Sequence, residues 1–276
     1  MEHTASILIL VSGFAHAVVN SILKAGNDKM SRRALIDGFS ALLLAPAAFF
    51  VPLPTNAWNW LIASAMVHGL YLLALIKSFE QSDMTVAYPI ARGIAPMMAA
   101  AAAVALFHES ISTQVVVGIV SIAVGVMFIG VSHPLQRSAL LWALLTGACI
   151  ASYTVIDAQG VRAAPTAPSY IVWTFLFIGG ALGVFFAIWR GRDFFRTAAG
   201  QWRPGLIAGA LSIVTYGLAL FAFRLGATPR LAALRETSIL FGTAIAVLFL
   251  KERLTVLRTA GIVAIAAGAM LLVAVR

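Results

Sequence analysis

Long apolar runs fill the chain, separated by short stretches that carry charge or Pro, Gly and Asn. Reading the runs between these breaks predicts ten spans. They lie near residues 4–24, 34–52, 59–79, 84–107, 113–132, 138–158, 168–189, 203–223, 229–250 and 255–275. Each approaches the roughly 20 apolar residues needed to cross hydrocarbon. A span in hydrocarbon must satisfy its own backbone hydrogen bonds, so helices are expected. A β-barrel would show alternating segments of about ten residues, and none is present. The predicted fold class is an all-α integral membrane protein. Trp58, Trp60, Trp189 and Trp202 fall beside predicted loops, where amphipathic indoles favour the membrane interface. Ala15-His16-Ala17 imitates a signal-peptidase site, but Met1-Glu2-His3 lacks a basic start and the apolar run continues to Leu23. The first run is therefore expected to be a span.

Composition strengthens this picture. Of 276 residues, 61% are apolar and 11% charged, and the mean hydropathy is +0.96. A soluble domain carries about 25% charged residues, so most of this surface faces something other than water. The net charge of +9 would suggest nucleic acid on a soluble chain. Here the basic residues sit in short loops, where membrane insertion places them, and no nucleic-acid partner is expected. Cys149 is the single cysteine, which excludes an internal disulfide and a cysteine-based metal site. No histidine spacing suggests a metal ligand set, so neither metal nor cofactor is expected.

The chain also repeats itself. Gly118-Ile-Val-Ser-Ile-Ala-Val-Gly-Val-Met127 returns as Gly261-Ile-Val-Ala-Ile-Ala-Ala-Gly-Ala-Met270, identical at seven of ten positions and offset by 143 residues. The same offset aligns Glu109 with Glu252 and Arg92 with Arg235, and with one gap Tyr71 matches Tyr216. The expected organisation is two five-helix repeats, 1–134 and 135–276. Five spans is an odd number, so the second repeat should enter the membrane inverted. Loop charge agrees: Lys24, Lys29, Arg32 and Arg33 follow the first span, whereas Arg162 alone follows the sixth. The next loop reverses the bias, with no basic residue in 53–58 but Arg190, Arg192, Arg196 and Arg203 in its counterpart. Loops after odd-numbered spans hold 13 basic residues against 4 on the other side, which puts both termini outside.

The Glu-x8-Gly-x6-Gly pattern at 109–125 and again at 252–268, with Leu250-Lys-Glu-Arg-Leu-Thr255, resembles the drug/metabolite transporter superfamily in its ten-helix EamA-type branch. The resemblance implies a carrier for small metabolites. Bacterial amino-acid exporters, of the aromatic amino-acid type, are similar in length and in lacking paired lysines in the ninth span. It further implies residence in a bacterial inner membrane. Other carriers of the superfamily move different cargoes, since one fold serves many. An organic-cation or drug exporter and a lipid-linked carrier flippase are the alternatives.

Arg92 and Arg235 are the sharpest candidates for chemistry. A charge at a span centre costs several kcal/mol, roughly 2.5–3.5 on insertion scales, and usually faces a polar interior. Arg92 follows Tyr88-Pro89, and Pro89 frees a carbonyl nearby. Inverted topology places Arg92 toward the inside and Arg235 toward the outside, as two ends of one path, each able to grip a carboxylate. Each is equally suited to pairing with a buried acid. Glu236 follows Arg235 but points about 100° away on an ideal helix. It would either couple protons to transport or neutralise an arginine on another span. His68, Tyr71, Tyr88, Tyr153, Trp173 and Tyr216 put polar-tipped rings into spans, suiting a pocket for a zwitterion with a side chain. His16 and Asn20 lie one turn apart on the first span and are able to bond cargo or a neighbouring helix. Asp37 and Asp157 lie near predicted span ends and are expected to cap helices or meet water. Glu109 and Glu252 are expected to cap the spans that follow them. Gly118, Ser121 and Gly125, like Gly261, Ala264 and Gly268, should let helices approach closely, within the chain or in a homodimer.

No G-x-x-x-x-G-K-[ST] loop, G-x-S-x-G or H-E-x-x-H is present, and His108-Glu109 lacks the second histidine. An enzyme is not expected. The expected partners are a small-molecule substrate and the lipid bilayer, in a monomer or homodimer.

Overall fold

The computed structural model describes residues 2–24, 29–81, 84–130, 136–250 and 254–274. Glu252 of the repeated signature lies outside them, as do Lys251, Arg253 and Arg276 of the loop-charge pattern. Among the described residues every regular element is helical. In chain order these are α1 (Glu2–Lys24), α2 (Lys29–Leu44) with a 3-10 continuation Ala45–Phe49, α3 (Trp58–Gln81), α4 (Met84–Phe107), α5 (Thr113–Gly130) and α6 (Arg137–Ala163). Then come α7 (Ala167–Thr174), a π turn Phe175–Gly179, α8 (Gly180–Arg190), α9 (Arg192–Leu225), α10 (Thr228–Arg235), α11 (Ser238–Leu250) and α12 (Val256–Ala274).

Eight helical stretches among these residues are long and apolar enough to cross a membrane. The second and fifth predicted spans fall short of that length as helices: α2 gives way to 3-10 geometry at Ala45-Pro46, and Thr113–Ile129 is a shorter apolar helix. Large apolar side chains cover the outside, including Phe49, Phe50, Met66, Leu106 and Ile188. In water such a surface would be an association liability, but against lipid it costs nothing. The chain is thus a multi-pass integral membrane protein.

Several predicted spans are interrupted or shifted, and two of the changes matter for the site. The span expected at 138–158 runs on to Ala163, so Asp157 stands inside α6 and not at its end. The span expected at 229–250 divides after Arg235: α10 stops there and α11 begins at Ser238. The turn between them is tightened by Thr237, whose backbone N–H (3.1 Å) and hydroxyl (2.7 Å) both donate to the Leu234 carbonyl. Earlier, α9 starts at Arg192 and bends at Gln201, where φ is −125° and ψ 16°, just ahead of Pro204.

Packing is closest where side chains are absent. The two copies of the repeated text, α5 and α12, lie against each other. A methyl placed on Gly125 would stand 2.7 Å from the Gly261 carbonyl oxygen, and one on Gly261 would stand 2.6 Å from that of Gly125. Gly118 and Gly268 abut in the same reciprocal way, and the Ser121 hydroxyl donates to the Ala264 carbonyl at 2.8 Å. Rising numbers on one helix meet falling numbers on the other, so the two copies run antiparallel. The close-packing face predicted from the glycines is used within this chain. Elsewhere α6 packs on α3 and α4, while α1 packs on α9, α10 and α11.

Candidate functional site

The break between α10 and α11 brings charge into the interior. Arg235 ends α10 and is 8% exposed, Glu236 is 3% exposed, and Arg92 of α4 is 5% exposed. Arg92 Nε lies 2.9 Å from Glu236 Oε2, and its Nη2 donates to the Ser238 hydroxyl at 3.0 Å. Of the two roles open to Glu236, the geometry therefore displays the neutralising one. Pro89 and Pro96 lie within α4 on either side of Arg92. Across from it, a methyl on Gly147 of α6 would stand 2.8 Å from the Ala91 carbonyl, so a bare backbone is what lets α6 lie close beside the arginine.

Two expectations are corrected here. Arg92 and Arg235 are not at two ends of a path: both line one small cavity, together with Glu236, Thr154, Pro96 and a few apolar residues. Glu236 and Arg235 also line that cavity together, although successive residues of an ideal helix stand about 100° apart. The backbone at Glu236 is still helical, and it is the reach of the two long side chains that brings both to the cavity. The cavity holds about 10 Å³, room for about one water molecule.

Beside Arg235 stands a cluster of rings. Its guanidinium carbon is 5.0 Å from the centroid of the Tyr216 ring on α9. His68 of α3 stacks on Tyr153 of α6 at 4.1 Å, and Tyr71 meets Tyr153 at 5.7 Å. His68 also approaches Tyr216, with centroids 6.4 Å apart. The imidazole Nδ1 is 2.9 Å from the Ser64 carbonyl, which orients the ring. Tyr88 lies against Arg92, 5.9 Å from the guanidinium carbon to its centroid. The sequence-predicted residues His68, Tyr71, Tyr88, Tyr216, Arg92, Arg235 and Glu236 thus come together, with Tyr153 among them.

His16 of α1 joins their edge. Its Nε2 is buried without a hydrogen-bond partner, and it lies within electrostatic range of Arg92 and Arg235. Three residues earlier, a methyl on Gly13 would stand 3.4 Å from Ser238 N, so α1 abuts the helix break directly. Asn20 lies one turn beyond His16 and is half-buried. Trp173 goes elsewhere, since its ring partners are Trp58 at 5.4 Å and Phe177 at 6.2 Å.

Asp157 was expected near an interface and is instead fully buried. Tyr170 donates its hydroxyl to Oδ1 at 2.7 Å, and Tyr216 donates to Oδ2. The signal was available in the sequence. Tyr153 and Asp157 are four apart and so share one face of a helix. Asp37 is also buried, paired with Arg33 at 2.8 Å within α2. Ser238, Thr154 and Tyr170 were not singled out at all, because neutral polar residues in apolar helices carry no distinctive pattern.

A second polar network closes one end of the bundle. Glu109, just after α4, accepts from Arg162 Nη1 at 2.6 Å, from Thr228 N and Oγ1 at 2.8 Å each, and from Gln159 at 3.3 Å. It therefore caps α10 and not the α5 that follows it. Ala227, the residue preceding α10, offers no side-chain cap, and the carboxylate arrives from outside to meet the positive end of the helix. Arg162 also donates to the Phe223 and Gly226 carbonyls, Arg224 to those of Val161, Ala164 and Pro165, and Arg230 to Glu2 and Ser6. The start of α1, the ends of α4, α6 and α9, and the start of α10 thus meet at one end.

Removing the Glu109 carboxylate should leave Arg162 and the α10 terminus uncompensated. Glu109→Ala is expected to cost about 1.5–3 kcal/mol, the range for a hydrogen bond to a charged group, read as a lower midpoint in thermal unfolding of the detergent-solubilised protein. An unchanged midpoint would mean that the network is not a load on the fold.

Among described residues, no group of three or more His, Cys, Asp or Glu side chains is arranged to hold a metal ion. Comparison with known proteins then places the chain. No curated protein matches it. One solved crystal structure aligns over 97% of this chain and 94% of its own, with a TM-score of 0.76 at 15% identity, which is a likeness of fold alone. The pattern of the EamA-like transporter family matches residues 137–274. With that match spanning half of the sequence, on an all-helical membrane bundle with charges buried at a helix break, the chain belongs to the EamA-like transporter family.

Proposed function

We propose that this transporter exports small metabolites, amino acids foremost, by alternating access around Arg92, Glu236 and Arg235. The observation that carries the reading is the set of three charged groups buried where a membrane-length helix is interrupted. Carriers place their sites at discontinuous helices, where freed backbone groups and helix ends face cargo. The adjoining His68, Tyr71, Tyr153 and Tyr216 supply apolar walls with polar tips, which suits a zwitterion that carries an apolar side chain.

In this reading α2 with its 3-10 continuation and α5 complete ten spans, and repeats 1–134 and 135–276 sit inverted about the site. The antiparallel contact of α5 with α12 supports it. So does the exchange of neighbours: α6 lies on α3 and α4, while α1, its repeat counterpart, lies on α9 and on α10–α11. The termini then face outside, in a bacterial inner membrane. Reporter fusions at Lys29 and Arg196 are expected to signal the same, cytoplasmic face, and signals from opposite faces would remove the inverted arrangement.

The Glu109 network then closes the outer end, and opening requires it to part. Cysteine placed at Ala232, in a Cys149→Ser background, reads that opening through an impermeant thiol reagent added outside. Glu109→Ala should raise the labelling rate about 10- to 100-fold, as expected for losing one charge-assisted hydrogen bond. No change would show that the network is not the outer closure.

Flux into proteoliposomes of the purified protein tests the cargo, with amino acids, sugar phosphates and organic cations compared. Amino-acid flux without phosphate flux supports the reading. Flux of organic cations alone overturns it.

A further inference from the structure

Arg92 and Arg235 occupy equivalent places in the two repeats, 143 residues apart, yet their surroundings differ. Arg92 is engaged: Glu236 faces its Nε at 2.9 Å and Ser238 takes its Nη2 at 3.0 Å. Arg235 has no hydrogen-bonded or ion-paired partner among the described residues. The Nε of each arginine is buried without a hydrogen bond, so the difference between them is the ion pair and the Ser238 bond that Arg92 alone makes. What lies against it is the face of Tyr216, whose hydroxyl is committed to Asp157. A ring face compensates only part of the desolvation of a guanidinium, and the planar fork keeps its donors to offer. The cavity that this side chain lines is otherwise made of Ala95, Pro96, Ala99, Ile150 and Ala232, with Thr154 and the engaged pair.

We propose that Arg235 alone anchors the substrate, gripping a single carboxylate, while Arg92 is a fixed strut held by Glu236 and Ser238. This rests on the reading that the cluster is the substrate site, and it names which group there recognises cargo and what that cargo must carry. Of the three charged groups that line the cavity, Arg235 is the one without an ion-paired partner, and a single guanidinium is matched by a single carboxylate. A phosphate dianion would bring a second negative charge beside Glu236 and Asp157 with no second uncommitted cation to meet it.

Four probes with one ring separate the possibilities: L-phenylalanine, 3-phenylpropionate, L-phenylalaninamide and phenyl phosphate. Binding to the full-length purified protein is followed by tryptophan fluorescence, and counterflow of phenylalanine is measured in proteoliposomes. Both carboxylates should bind the wild-type protein about 10- to 100-fold more tightly than the amide, the worth of a charge-assisted hydrogen bond, and phenyl phosphate no better than the amide. Arg235→Gln should erase that preference, Arg235→Lys should keep part of it, and Arg92→Gln should keep it whole even where stability falls. A carboxylate preference that survives in folded Arg235→Gln, or one lost in folded Arg92→Gln, overturns the proposal. Should Arg235→Gln fail to elute as a monodisperse species, Arg235→Lys decides, and a preference equal to wild type overturns it. Arg235-dependent binding without phenylalanine counterflow keeps the anchor and removes amino-acid export. Counterflow whose carboxylate preference ignores Arg235 removes the anchor and keeps export, and absence of both removes both.

Discussion

Glu236→Ala is expected to destabilise the folded bundle by about 3–5 kcal/mol, because it leaves a buried guanidinium without its counter-charge. The two side chains are 6% and 4% exposed, and only the neutral Ser238 hydroxyl and Tyr88 ring would remain against Arg92. Arg92→Ala should cost a similar amount for the mirror reason. The informative variant is the pair. Replacing both with leucine removes two desolvation penalties together with the attraction, and should return stability to within about 1–2 kcal/mol of wild type. Unfolding in mixed detergent micelles, followed by far-UV circular dichroism, measures all three. Wild-type stability in Glu236→Ala would show that the pair is not a closed, dry interaction. The expected contrast with Arg235 is sharp: its loss should damage recognition much more than folding.

The second large effect lies at the crossing of α5 and α12. Gly125→Ala would set a methyl 2.7 Å from the Gly261 carbonyl oxygen, 2.7 Å from Ile265 Cγ1 and 2.9 Å from Ile265 N. Gly261→Ala would meet the Gly125 carbonyl oxygen at 2.6 Å and Ile129 Cγ1 at 2.7 Å. Three of these five neighbours are backbone atoms, which cannot turn aside, so the helices themselves must separate. Each substitution should cost about 1–3 kcal/mol as overpacking. The double variant should cost less than the two singles together, because one separation relieves both collisions. Gly69 and Gly242 provide the control, as a methyl there meets nothing within 4 Å. Alanine at either should stabilise by about 0.4–1 kcal/mol through the unfolded chain. Equal effects at all four glycines would remove the close crossing as a source of stability.

Much of the architecture was legible in the order of residues. Apolar runs marked the helices, and the repeated Gly-Ile-Val text marked two helices as suited to close approach, while that they meet each other came from the packing. Arg92, Arg235 and Glu236 stood out because a charge inside an apolar run is costly and needs a reason. Errors arose where an ideal helix was assumed. The step of about 100° between Arg235 and Glu236 suggested that they could not serve one spot, whereas both long side chains reach the same cavity beside the helix break. Ending the sixth span too early left Asp157 in the interface, whereas five further residues bury it beneath two tyrosines. Glu109 was recognised as a cap, but its helix lies more than a hundred residues away in the chain.

By itself the sequence determined where this protein is helical, that its surface belongs in lipid, and which side chains are expensive to bury. These follow from transfer free energies and local periodicity, which are properties of neighbouring residues. The tertiary structure alone decided which arginine Glu236 neutralises, which one is left facing a ring, and that both line one small cavity. Such choices depend on distances between helices remote in the chain, and two positions equivalent by repeat can meet different partners once the bundle is packed.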